Sequence, residues 1–255
     1  MCTIAILLDV VSDAPLVVAA NRDEMYARPT RPPQRWTSGI VAGVDELSGG
    51  TWLAVRPDGQ FAAVTNQRVL APPPPGLRSR GLVVRELAEA DDPAAYVSTI
   101  DPARYASMNL VWGDARGVSI AYARTEGTFE VEPLAPGIHV LCNDRLDAPG
   151  FPRGVRLREA LERVTRDRPP LSAVIEPLHA ALADHTRAPI ELVPPSRHPP
   201  EIAHALTAAC IHTDGYGTRS ATIFAAAPGR VLQYLHADGP PCTTPLLDRS
   251  SLFHG

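Results

Sequence analysis

The second residue of the chain is a cysteine, and its position gives it more chemistry than any other side chain here. Met1 is removed by methionine aminopeptidases when the next residue is small, and cysteine qualifies. The product would carry a thiol and a free α-amine on one residue. Their unperturbed pKa values are about 8.5 and about 7.7–8.0. An amine in that range takes up a proton near neutral pH, so a single residue would supply both nucleophile and base. Cys2 also opens the apolar run Thr3–Leu8, which has the length of a strand and would hold the thiol on a rigid sheet. The competing reading is a small hydrophobe at a strand start, with Met1 retained.

A second group of chemically useful residues, Asn21-Arg22-Asp23-Glu24, follows the apolar run Leu16–Ala20 directly. If that run pairs with Thr3–Leu8, the polar quartet comes to the end of the sheet where Cys2 begins. A solvated turn is the alternative. Other signatures are absent. There is no G-x-S-x-G elbow, no H-E-x-x-H and no metal-spaced Cys/His cluster. Gly215-Tyr216-Gly217 is half of a dinucleotide loop with neither a clear strand before it nor a helix after it. His212 beside Asp214 is the one histidine pairing of note, and a satisfied or exposed histidine accounts for it.

Composition narrows the chemistry further. All 24 cationic residues among the 255 are arginine, and lysine is absent. This excludes a lysine Schiff base, a pyridoxal-phosphate anchor and a Walker A lysine. The formal net charge of −4 offers no electrostatic reason for a nucleic-acid partner. Four cysteines without a C-x-x-C pair are too few for a disulfide scaffold. No apolar run reaches the roughly 18–20 residues of a membrane span, and the apolar start lacks a basic n-region. A cytoplasmic protein is expected, and nothing in the chain specifies an oligomeric state.

The elements that must position these groups come in blocks. Strands are expected at Thr3–Leu8, Leu16–Ala20, Ile40–Val44, Thr51–Val55 and Phe61–Thr65. The prolines Pro72–Pro75 form a stiff connector, and Leu82–Ala90 and Pro93–Ile100 read as helices. Strands are then expected at Asn109–Trp112, Val118–Tyr122 and Ile138–Cys142. Arg156–Val164 places Leu157, Ala160, Leu161 and Val164 on one helical face, Leu171–Ala183 is a weaker helix, and 187–200 is irregular. Ala221–Ala225 and Val231–Tyr234 close the chain as a strand pair. Blocks of strands followed by blocks of helices predict an α+β protein with antiparallel sheets and helices outside. No step demands a boundary, so 1–255 is read as one domain.

Six blocks together resemble a family. Met1-Cys2, the Asn21–Glu24 quartet with Arg28-Pro29-Thr30, Gly49–Leu53, Thr65-Asn66, Ser79-Arg80-Gly81 and Tyr216–Ser220 look like the NRDE family, also called the Transport and Golgi organisation protein 2 family. They occur in the family's order from residue 1 to about 224. That family is similar to the N-terminal-nucleophile hydrolases of the cholylglycine hydrolase and penicillin V acylase type. The resemblance implies a four-layer αββα sandwich with Cys2 as nucleophile and Asp23 holding its α-amine. It also implies an arginine near that aspartate, matched by Arg22 at a different spacing, and a late arginine beside the nucleophile, matched by Arg219. Asn66 and Asn143 match the asparagines that supply oxyanion and positioning contacts, and Asn21 and Trp52 are the expected substrate contacts. Read as residues alone, Arg22 and Asp23 also suit a structural ion pair, Asn66 and Asn143 turns, and Arg219 a surface charge.

The expected function is hydrolysis of non-peptide amide bonds in a small-molecule substrate through a thioester on Cys2, with no cofactor or metal required. The alternative is a non-catalytic protein that handles haem, lipid or acyl-CoA on the same scaffold. Haem is a partner only under that alternative, with Cys2 as a thiolate ligand to the iron.

Overall fold

The computed structural model describes residues 2–254; the expected removal of Met1 lies outside the described residues. Strands β1 (Cys2–Leu8) and β2 (Leu16–Met25) form an antiparallel hairpin in which Ile4 faces Ala20 and Leu8 faces Leu16. The unbroken apolar run of β1 has two destinations. Ile4, Ile6 and Leu8 enter one core, and Ala5 and Leu7 enter another on the opposite face. Continuous rather than alternating hydrophobicity is what a strand covered on both faces requires.

Strands β3 (Thr30–Arg35), β4 (Val41–Asp45), β5 (Leu53–Val55) and β6 (Phe61–Asn66) begin a second sheet. Strands β7 (Met108–Asp114), β8 (Gly117–Ala123) and β9 (Phe129–Pro133) complete it, in sequential order from β3 to β9. The first sheet adds β10 (Gly137–Leu141), β11 (His212–Thr213), β12 (Tyr216–Ala227), β13 (Arg230–Ala237) and β14 (Leu247–Asp248). Its order is β10-β1-β2-β12-β13-β14, with β11 on the end of β12. Every pairing named here is antiparallel.

Three cores separate four layers. Ile4, Val18, Phe61, Ile120, Phe224 and Tyr234 meet between the sheets. Helices α1 (Arg80–Glu89) and α2 (Pro93–Ser98) cover the second sheet through Val83, Val84, Leu87 and Val97. Helices α3 (Pro152–Thr165) and α4 (Leu171–Leu182) cover the first through Leu157, Leu161, Val174, Leu178 and Leu182. A short α5 (Pro200–Ala205) follows. This is the expected αββα sandwich. Among the described residues no helix is long and apolar enough to cross a membrane.

Three local differences from the sequence reading have physical causes. First, β2 runs on through the Asn21–Glu24 quartet to Met25 because β12 pairs with it along that length, so the quartet is strand rather than turn. Second, Pro32 and Pro33 did not deter β3, which is an edge strand whose register slips between Arg31 and Gln34. A proline at an edge removes no ladder hydrogen bond that the sheet needs. Third, α3 starts at Pro152, four residues before the expected start, and this brings Arg153 inside the helix.

Candidate active site

Because the quartet is a strand, its side chains alternate between faces. Arg22 shares a face with Ala20 and Asn21 shares the other with Ala19, so the inter-sheet core lies below Arg22 and the helix layer below Asn21. Cys2, in register with Ile4, lies on the inter-sheet face and sits directly across the ladder from Arg22. There the two sheets part into a cleft of about 440 Å³. Cys2, Arg22, Trp52, Asn66, Arg80 and Arg219 are among the residues that line it.

Cys2 is 9 % exposed. Burial pushes its thiol pKa up, as does the Asp23 carboxylate, while Arg22 and a backbone hydrogen bond from Asp23 favour the thiolate. Glu24 stands between Arg22 (3.7 Å) and Arg28 (3.8 Å), and Arg28 is in turn held by Asp45 at 2.6 Å. Glu24 therefore steadies two cleft-lining arginines.

Asp23 has a different environment. It is 2 % exposed, and Thr218 on β12 donates its hydroxyl to the carboxylate at 2.7 Å. Arg153 of α3 lies 3.5 Å from the same carboxylate and donates to Asn143 Oδ1 at 2.6 Å. Asn143 in turn donates from Nδ2 to the Asn66 carbonyl at 2.7 Å. A buried chain of polar contacts thus runs from Asp23 through Arg153 and Asn143 to the backbone of Asn66, linking the two sheets. Burial pushes the Asp23 pKa up, and Arg153 and Thr218 oppose it. Burial also works against the Arg153 charge, but Cys142 and Asp23 hold its pKa above the usual arginine range.

Two expected site residues have other engagements. Asn21 donates to the carbonyls of Leu182 and Ala209 on the helix side, and it is not among the cleft-lining residues. Arg219 occupies the register break between Thr218 and Ser220 on β12. Such a bulge re-aims a side chain. The guanidinium donates to the carbonyls of Met25, Tyr26 and Arg28 at 3.2, 2.7 and 2.7 Å. It therefore buttresses the wall that carries Arg28. Trp52 is packed between the inter-sheet core and the α1 layer while lining the cleft. Of the two asparagines, Asn66 lines the cleft and Asn143 supports it from behind.

Sequence reasoning missed Arg153, Thr218 and the role of Arg80. Arg153 left a trace, because it lies four residues before Leu157 on the apolar face of α3, where an arginine needs a buried partner. Arg80 opens α1 and donates to the Ser107 carbonyl at 3.3 Å, and no ion pair joins it to a carboxylate among the described residues. Burial lowers its pKa, and Cys2 and Glu24 act the other way. Its backbone is set by close approach, since Thr51 N–H donates to the Gly81 carbonyl at 3.0 Å. A Cβ on Gly50 would overlap that same carbonyl group.

The arrangement places a thiol at the start of a rigid strand, opposite a cation, on an open cleft rimmed by arginine. A thiolate at this position would have its charge offset by Arg22 and by the Asp23 N–H.

Comparison with known proteins is consistent with this geometry. The family model described as Transport and Golgi organisation 2 matches residues 1–235. The Bos taurus Transport and Golgi organization protein 2 homolog is 32% identical over 224 residues, covering 82% of this chain and 80% of its own length. The Homo sapiens homolog is 30% identical over 227 residues with the same coverage. Among solved structures, the Caenorhabditis elegans N-acylethanolamine-hydrolyzing acid amidase ortholog is similar with a TM-score of 0.54 at 11% identity, covering 88% of this chain and 92% of that one. A mutant of conjugated bile acid hydrolase from Clostridium perfringens is similar with a TM-score of 0.54 at 10% identity, covering 98% and 92%. These neighbours share the N-terminal-nucleophile hydrolase fold.

Proposed function

The chain belongs to the Transport and Golgi organisation 2 family on an N-terminal-nucleophile hydrolase fold, and from that premise we propose that it hydrolyses a non-peptide amide bond using Cys2 after removal of Met1. The observation that carries this reading is the place of Cys2, at the start of β1, opposite Arg22, on the cleft. The Cys2 thiolate attacks the amide carbonyl carbon, and the developing oxyanion takes donors from the cleft wall, which includes the Asn66 side-chain amide. The C–N bond then breaks, and the leaving amine takes the proton that the α-amine accepted from the thiol. Water hydrolyses the thioester to a carboxylic acid and restores the thiol. Asp23, held by Thr218 and Arg153, orients the α-amine. A reducing compartment such as the cytoplasm keeps Cys2 in the thiol form this chemistry needs.

The names of the two structural neighbours, an N-acylethanolamine-hydrolyzing amidase and a conjugated bile acid hydrolase, support an N-acyl substrate class. Intact mass of the purified protein, followed by labelling with a panel of electrophilic amides and lactones, tests the proposal. Loss of Met1 and a covalent adduct that disappears in Cys2→Ala are expected. Full retention of Met1 would sink it, because the α-amine would then be an amide.

One observation favours a second, binding-only reading. Arg80 lines the cleft with no ion pair to a carboxylate among the described residues, whereas the cleft-lining Arg28, Arg31 and Arg78 are paired with Asp45, Glu46 and Glu86. That uncompensated cation suits an anionic ligand such as haem or an acyl-CoA, with Cys2 as iron ligand in the haem case. A Soret shift on haem titration that Cys2→Ala abolishes supports the haem form of this reading, and the absence of specific binding removes it.

A further inference from the structure

We propose that His185, Cys210, His212 and Cys242 form a structural zinc(II) site, separate from the cleft. The sequence shows no metal-spaced cluster because these residues are 25, 2 and 30 positions apart in turn. Folding brings them together from three segments. His185 follows α4, Cys210 and His212 flank the start of β11, and Cys242 lies in the loop after β13. Their candidate ligand atoms all lie within 4.8 Å of one another.

The spacings match one tetrahedral ion. Zinc bonds of about 2.3 Å to sulphur and about 2.0–2.1 Å to nitrogen require S···S edges of about 3.8 Å and S···N edges of about 3.5 Å. The two sulphurs are 3.7 Å apart, and His212 Nε2 lies 3.6 Å from Cys210 Sγ and 3.3 Å from Cys242 Sγ. The His185 ring stands 5.0 Å from the His212 ring, centroid to centroid. With its Nδ1–H donated to the Cys210 carbonyl at 3.2 Å, Nε2 is the nitrogen free to ligate. A second N–H held by a carbonyl is the usual way a metal-binding imidazole is oriented. A disulfide is a different state, needing the sulphurs at about 2.05 Å. Two thiolates and two imidazoles are a donor set for zinc, and four protein ligands leave no open position for substrate.

The location explains what such an ion would do. Ile211, between two of the ligands, donates its N–H to Thr218 Oγ1 at 2.9 Å and accepts from Thr218 N–H at 2.8 Å. That same hydroxyl donates to Asp23. The ion would therefore pin three loops to the end of β12 and hold Thr218 against Asp23. This role does not depend on whether Cys2 is catalytic.

The test is metal content and spectroscopy of the full-length protein, purified from a reducing cytoplasm without chelator. One zinc per chain is expected, and cobalt(II) substitution should give the intense visible bands of a tetrahedral site with thiolate-to-cobalt charge transfer. Cys242→Ser and His185→Gln, the latter at an exposed position, should each weaken zinc binding at least tenfold. Chelation should lower Tm in the wild type, zinc should restore it, and the Cys242→Ser protein should respond to neither. Folded wild-type protein without stoichiometric zinc and without a tetrahedral cobalt spectrum overturns the proposal. So does undiminished binding in both variants, or a native Cys210–Cys242 disulfide found by mass.

Discussion

Cys2 and Arg22 are directly opposed across the β1–β2 ladder, with both side chains on the inter-sheet face. Burial disfavours the Cys2 thiolate, and Arg22 is one of the groups that oppose this. Arg22→Gln should therefore move the pH midpoint of Cys2 alkylation upward and slow labelling at pH 7, since less thiolate is present. Rates with iodoacetamide across pH, with Cys2→Ala as the blank, measure this. An unchanged or lower midpoint contradicts the assigned role of Arg22.

Arg153 joins Asp23 to Asn143 behind the cleft. Both it and Asp23 are almost fully inaccessible, at 1 % and 0 % side-chain exposure. Removing one partner of a buried ion pair strands the other, at a cost of about 3–5 kcal/mol. Arg153→Met should destabilise the protein by that order in urea denaturation, and adding Asp23→Asn should recover part of it. A loss in the single variant below about 1 kcal/mol would show that the pair is not needed.

His236 predicts how stability depends on acid. It is buried, its Nδ1 pairs with Thr222 Oγ1 at 3.0 Å, and Nε2 is a buried atom with no hydrogen-bond partner among the described residues. Burial pulls its pKa down to about 4 from 6.5. A depressed histidine pKa means that its contribution to stability is fully present above pH 6.5 and is lost as pH falls through 4. The linkage amounts to about 3 kcal/mol. His236→Gln should flatten that part of the stability curve between pH 7 and 4. Parallel wild-type and variant curves would refute it.

Arg80 should discriminate among ligands. It lines the cleft and lacks a carboxylate partner among the described residues. A charge-assisted hydrogen bond contributes about 1.5–3 kcal/mol. Arg80→Gln should therefore weaken anionic ligands or substrates by about 10–100-fold, with neutral analogues of the same shape unaffected. Equal losses for both would assign Arg80 to structure instead.

The strand content was legible because β1, β2, β6, β7, β8 and β12 bury both faces and so appear as apolar runs. The edge strands β3 and β9 were not, because partly exposed segments such as Thr30–Arg35 and Phe129–Pro133 carry prolines and charges. Helix α3 showed its apolar stripe but not its first turn, which is where Arg153 lies.

By itself the sequence determined the chemical stock: one cysteine behind Met1, permanent cations in place of lysine, and the Asn21–Glu24 quartet set one strand away from Cys2. These follow from local order and residue type. Tertiary structure decided how the quartet divides, because a strand sends Arg22 to the cleft and Asn21 to the helix layer. It also decided that Arg153, 130 residues on, meets Asp23, and that four histidine and cysteine side chains scattered over 185–242 converge. Contacts between distant segments depend on sheet order and layer packing, and no local pattern of residues records them.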